Sequence, residues 1–174
     1  MNRIYKSGLA LIILVCSSFS YVSDDDTNAH IKATFIYNFT RYIEWPAEYK
    51  KGSFVIGILG ETRMLQELTS MKQKTSRGNQ PFQITKFSSV NSINKCHMIF
   101  IARSRSHELG LVVKKMKDFK TLIITEKPGL IEKGAGINFV IDNNKQGFEI
   151  NRGSIKDHGL SLSSNLVAFA TVVK

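Results

Sequence analysis

Cysteine is close to absent from this 174-residue sequence: Cys16 and Cys96 are the whole complement. Cys16 falls in the leader described below, so Cys96 would stand alone in the mature chain. A single cysteine excludes a disulfide scaffold and an internal redox switch. It leaves two readings, a small buried hydrophobe or an intermolecular thiol. Acidic residues are also scarce, 14 against 24 lysines and arginines, for a formal charge of +10. The basic residues are spread along the chain and form no run of five or more, so a nucleic-acid-binding arm is not indicated. There is no internal repeat and no Pro/Gly-rich linker, which points to one domain. An apolar run of the ~20 residues that a membrane-spanning helix needs is missing. So are the marks of several chemistries. Gly57 and Gly60 lack the third glycine and the lysine of a phosphate-cradling loop, and there is no G-x-S-x-G elbow. His30, His97, His107 and His158 have no histidine partner at i+3 or i+4, as a helical metal site would need. No catalytic, metal or cofactor site is expected.

What is present begins with a leader. Arg3 and Lys6 form a positive start, Gly8 to Val15 is a short apolar run, and Ser18 and Ser20 are small residues before Tyr21. These are the parts of a secretory signal peptide over 1–20, cleaved between Ser20 and Tyr21. The expected mature unit is a single domain over 21–174. Removing Arg3 and Lys6 leaves it at +8. Direct membrane insertion of that unit is not expected, and export argues further against nucleic acid.

The remaining pattern alternates strand with helix. FVIGIL (54–59), CHMIFIA (96–102) and TLIIT (121–125) are short apolar runs suited to buried strands, and PFQITKF (81–87) alternates like a half-buried one. Helical spacing is present over 61–71 and 104–118. INFVID (137–142), an asparagine-rich turn and GFEIN (147–151) predict a β-hairpin. The segment 165–173 suits a strand or a closing helix, and the helix is the favoured expectation. The fold class expected is α/β, a mostly parallel central sheet with helices on both faces and an antiparallel C-terminal hairpin at the edge. In such folds small molecules bind beyond the carboxyl ends of the strands, here near Gly60, Arg103 and Thr125. A periplasmic small-molecule-binding module is therefore the alternative function.

AHIKATFIYNFTRYIEWP (29–46) is the most aromatic stretch. On a helical wheel Ile31, Phe35, Ile36, Phe39, Tyr42 and Ile43 share one arc, the width of a helix buried on one side. Pro46 should end the helix at Trp45. Tyr37, Tyr42 and Trp45 are left over as candidate partner-binding residues, because such side chains favour interfaces. Cys96 and His97 suggest a nucleophile and its base, but neighbours in a strand point to opposite faces, so they cannot form a dyad.

Taken together, KATFIYNFTRYIEWP (32–46), FVIGILG (54–60), CHMIFIA (96–102), GAGINFVIDNNKQGFEIN (134–151) and GLSLSSNLVAFA (159–170) resemble, in order, the YfiR family of periplasmic repressors. The matching residues are Tyr37, Asn38, Trp45, Cys96, His97, Phe148, Glu149 and Asn151, read mostly as a fold signature. The resemblance implies a periplasmic protein that binds the periplasmic region of an inner-membrane diguanylate cyclase and represses it, lowering cyclic di-GMP and biofilm growth. It also implies a homodimer and capture by an outer-membrane lipoprotein. Known relatives carry bridging cysteine pairs. Here only Cys96 remains, so any redox coupling would have to run between chains.

Overall fold

A computed structural model describes residues 24–72 and 76–174. The expected signal peptide, its cleavage point at Ser20 and Tyr21, and Cys16 lie outside them. In chain order the elements are α1 (Asp24–Tyr42), β1 (Ile43–Glu44), β2 (Phe54–Leu59), α2 (Met64–Lys72), β3 (Ser76–Arg77), β4 (Gln80–Phe87) and β5 (Met98–Ile101). They continue with α3 (Leu109–Met116), β6 (Leu122–Thr125), β7 (Ile137–Asp142), β8 (Lys145–Ile150), α4 (Arg152–Asp157), β9 (Ser161–Leu162), α5 (Ser164–Ala168) and β10 (Val172–Val173).

The main sheet runs β10-β8-β7-β6-β5-β2-β4-β3. From β4 across to β7 every pairing is parallel, and the β7–β8 hairpin is antiparallel. Asn143 and Asn144 make its turn, both with positive φ (47° and 59°), the backbone that a two-residue hairpin of this hand demands. The fold class is therefore the one expected, with a refinement: β10 pairs in parallel outside β8, so the hairpin lies one strand in from the edge.

Two apolar layers flank the sheet. One side chain set from β2, β5, β6, β7 and β8 (Ile56, Phe100, Ile124, Phe139, Phe148) packs under α1 and α2. The alternate set (Leu59, Ile101, Ile123) packs under α3 through Leu109, Val112 and Met116. Both faces being covered explains why these strands read as continuous apolar runs. Gly57 sits in the middle of β2, inside the apolar run expected to be a strand. A Cβ there would lie 2.6 Å from Phe87 Cε2 and 2.8 Å from Ile99 Cδ1. Gly57→Ala is expected to cost about 1–3 kcal/mol by overpacking, read as a lower urea midpoint with an unchanged slope. Gly60, at φ 101°, is the turn glycine.

Several boundaries differ from expectation. The helix over the aromatic stretch stops at Tyr42, because Ile43 and Glu44 pair antiparallel with Leu162 and Ser161. Its buried stripe is also rotated: Ala29, Ala33, Ile36, Phe39 and Thr40 are buried, while Ile31 is exposed. Small alanines let the helix approach the sheet closely, and Thr40 satisfies its hydroxyl on the Tyr37 carbonyl at 2.7 Å. The helix expected over 61–71 starts at Met64. That over 104–118 opens as 3₁₀ turns (Arg103–Glu108) before α3. The C-terminal helix is only α5, and the chain then extends to add β10 to the sheet.

Candidate functional site

Leaving β2, the chain crosses through α2 on one face to β4; leaving β5, it crosses through α3 on the other face to β6. The β2–β5 gap is thus where the connections part to opposite sides. A cleft of ≈ 910 Å³ opens at the carboxyl ends of these strands. Its walls come from the N-terminal part of α1, the loops after β2, β5 and β6, and the tip of the β7–β8 hairpin.

One ion pair organises it. Lys32 Nζ donates to Glu126 Oε2 at 2.6 Å, and the two side chains are only 14% and 12% exposed. Glu126 Oε1 accepts from the Arg103 backbone N–H at 3.0 Å, and Arg103 Nη2 donates to the Glu126 carbonyl at 3.1 Å. The carboxylate therefore ties α1 to the loops after β5 and β6. On the hairpin, Gln146 Nε2 donates to the carbonyls of Val140 and Gly147 at 2.8 and 2.9 Å. That fixes the amide's orientation and leaves Gln146 Oε1 buried with no protein partner. Of the three positions expected at the strand ends, Gly60 supplies the turn and Arg103 lines the cleft. Thr125 does not line it: buried, it donates through Oγ1 to Asn138 Oδ1 at 2.7 Å, and Asn138 Nδ2 donates to Glu149 at 2.9 Å. Lys32, Glu126 and Gln146 carry no local signal, because a pair 94 residues apart leaves no spacing pattern.

A second polar centre lies inside the core. The His97 ring stacks on Phe54 at 4.3 Å and meets Tyr49 and Trp45 edge-on. Its Nδ1 accepts from the Val55 N–H at 3.0 Å, so Nε2 carries the proton and donates to the Tyr49 carbonyl at 2.8 Å. Burial pushes its pKa down; the Tyr49 hydrogen bond opposes this, and nearby Lys95 and Arg77 add to it. The unfolded chain, with an ordinary histidine near 6.5, therefore binds more protons than the folded one. Stability should be fully present above about pH 6.5 and fall as pH drops through the folded value. Urea melts between about pH 7.5 and 5 should show this, and His97→Gln should flatten the slope.

Cys96 lies on the opposite side of the sheet from His97, in the layer under α3, so the pair makes no dyad. It is 0% exposed, and burial pushes its thiol up to about 12. This corrects the reading of Cys96 as a thiol available between chains: neither access nor ionisation supports it. Trp45 is corrected likewise. It is 2% exposed and donates Nε1–H to the Lys120 carbonyl at 2.9 Å, so its ring offers no surface to a partner. Tyr37, edge-on to Phe82, and Tyr42 remain half-buried. Other motif residues build the fold: Phe148 is core, and Asn151 caps α4 through Ser154 while donating to the Ile131 carbonyl. Among the described residues no three His, Cys, Asp or Glu side chains converge on a metal position, and no helix is long and apolar enough to cross a membrane.

The family described as DUF4154, YfiR/HmsC-like, matches residues 29–171. No curated protein matches the chain. Among solved structures, the fold is similar to a conserved domain protein from Vibrio cholerae O1 biovar El Tor str. N16961 (TM-score 0.59, 12% identity, 84% of this chain). It is also similar to an ABC domain from Streptococcus pneumonia in complex with L-Trp (TM-score 0.57, 14% identity, 84% of this chain). The match spans 60% of the length of each of those two chains.

Proposed function

The chain belongs to the YfiR/HmsC-like family of periplasmic regulators of diguanylate cyclase signalling, and from that premise we propose that it represses one such cyclase directly. The exported protein, freed of residues 1–20, binds the periplasmic region of an inner-membrane diguanylate cyclase and holds it inactive. Cyclic di-GMP and biofilm formation fall as a result. The family match across residues 29–171 carries this reading.

The physics required is modest. A repressor shifts its target only by binding the inactive state more tightly than the active one. No bond need be made. The groups that could perform chemistry, His97 and Cys96, are engaged in core packing and hydrogen bonding. A chain of charge +8 after loss of the leader favours an acidic sensor surface and fast, salt-sensitive association. Tyr37 and Tyr42, both half-buried, are the proposed contact residues. Homodimer formation, and capture by an outer-membrane lipoprotein that would relieve repression, belong to the same proposal.

Deleting the gene should raise cellular cyclic di-GMP several-fold, and complementation should restore it. The purified exported protein should bind the cyclase's periplasmic region with an affinity that weakens as salt rises. Unchanged cyclic di-GMP in a strain whose cyclase is intact would sink the proposal.

A further inference from the structure

We propose that the cleft at the carboxyl ends of β2, β5 and β6 binds a small organic anion, with a carboxylate or phosphate head on Arg103 and an apolar body against Ile141. This goes beyond the repressor reading and does not rest on it.

Three observations converge. The first is position: the cleft lies where α2 and α3 depart to opposite faces, the place in an open parallel sheet where no connection crosses and a ligand can reach the strand ends. The second is charge. Among the described residues the charged lining side chains are Lys32, Arg63 and Arg103, with Glu61 and Glu126. Lys32 and Glu126 satisfy each other, and Glu61 pairs with Lys86. Arg103 is placed differently. Its main chain holds Glu126 and one Nη2 bond braces the guanidinium against the Glu126 carbonyl, while the side chain stays exposed. Four of its five N–H donors are left for an incoming oxyanion. The third is an unfinished hydrogen bond. Gln146 Oε1, its amide locked by two carbonyls, is a buried acceptor without a donor. A ligand O–H or N–H entering beside the hairpin tip, where Ile141 is 58% exposed, would supply it. Apolar wall and oriented polar groups together are the usual make-up of a small-molecule site.

Isothermal titration of the purified exported protein tests this with four probes: benzoate, phenyl phosphate, inorganic phosphate and benzylamine. Saturable binding of benzoate or phenyl phosphate is expected, and which binds more tightly separates a carboxylate from a phosphate source. Benzylamine should not bind, and inorganic phosphate should bind at least about tenfold more weakly than phenyl phosphate because it lacks the body. Arg103→Ala keeps the backbone bond to Glu126 and so should melt close to the parent temperature. It should weaken the anions about tenfold or more. Ile141→Ser, at an exposed position, should weaken phenyl phosphate and leave inorganic phosphate unchanged. The proposal is overturned if neither aromatic anion binds at millimolar concentration, if benzylamine binds as well as benzoate, if inorganic phosphate equals phenyl phosphate, or if a correctly folded Arg103→Ala protein binds as before.

Discussion

Trp45→Ala is expected to remove about 3–5 kcal/mol of stability, close to the whole margin of many domains of this size. The ring is one of the largest fully buried side chains. It packs edge-on against Phe54 at 5.0 Å, and Arg77 stands over it at 5.4 Å from the ring centre. Arg77 is itself held by the carbonyl of Thr40 in the last turn of α1 and by that of Ile43 just after it. Truncation would therefore open a cavity beside His97, take one of the two aromatic rings from beneath the Arg77 guanidinium, and leave the Lys120 carbonyl without its indole donor. Those losses share one pocket, so they are coupled and are read as a single truncation cost rather than as a sum of independent parts. Trp45→Phe separates the contributions. It keeps most of the packing but loses the hydrogen bond, and should cost about 1–3 kcal/mol. Urea unfolding followed by far-UV circular dichroism measures both. A Trp45→Ala protein within about 1 kcal/mol of the parent would show the pocket collapses freely, contrary to this account.

The Lys32–Glu126 pair gives the second large effect. Glu126→Ala would leave a mostly buried ammonium without its counter-charge, at a cost of about 3 kcal/mol. Replacing both partners with apolar residues of similar size, Lys32→Met with Glu126→Leu, removes the stranded charge. It should recover much of the loss, because buried ion pairs return little beyond their own desolvation cost. The recovery would be incomplete, since the Arg103 amide also loses its acceptor. A double-mutant cycle read from urea midpoints gives the coupling directly. If the double variant is as unstable as the worse single one, the lysine's charge was not the source of the damage.

The molecule shows where local information ends. The β7–β8 hairpin was legible because two asparagines with positive φ between alternating runs are a local steric statement. The separation of Cys96 from His97 was legible because strand geometry alone puts successive side chains on opposite faces. The rotation of α1 was not legible. Its wheel weighs aromatic residues above alanines, whereas the sheet accepts Ala29 and Ala33 because close approach needs small side chains. The strand Ile43–Glu44 was hidden for a similar reason, since its partner, Ser161–Leu162, lies more than a hundred residues away. Of the cleft, the strand ends at Gly60 and Arg103 could be named from the alternation of elements, but the groups that line and brace it there could not.

By itself the sequence determined the α/β alternation, the mostly parallel sheet with its β7–β8 hairpin, and a lone cysteine beyond residue 20. Each follows from periodicity, turn sterics or composition within a few residues. Only the tertiary structure decided that Trp45 and Cys96 are core rather than surface, that His97 stays neutral inside an aromatic cage, and that Lys32 meets Glu126 at the mouth of a cleft. Those outcomes depend on which distant segments exclude water from one another, and burial, unlike periodicity, is a property of the assembled chain.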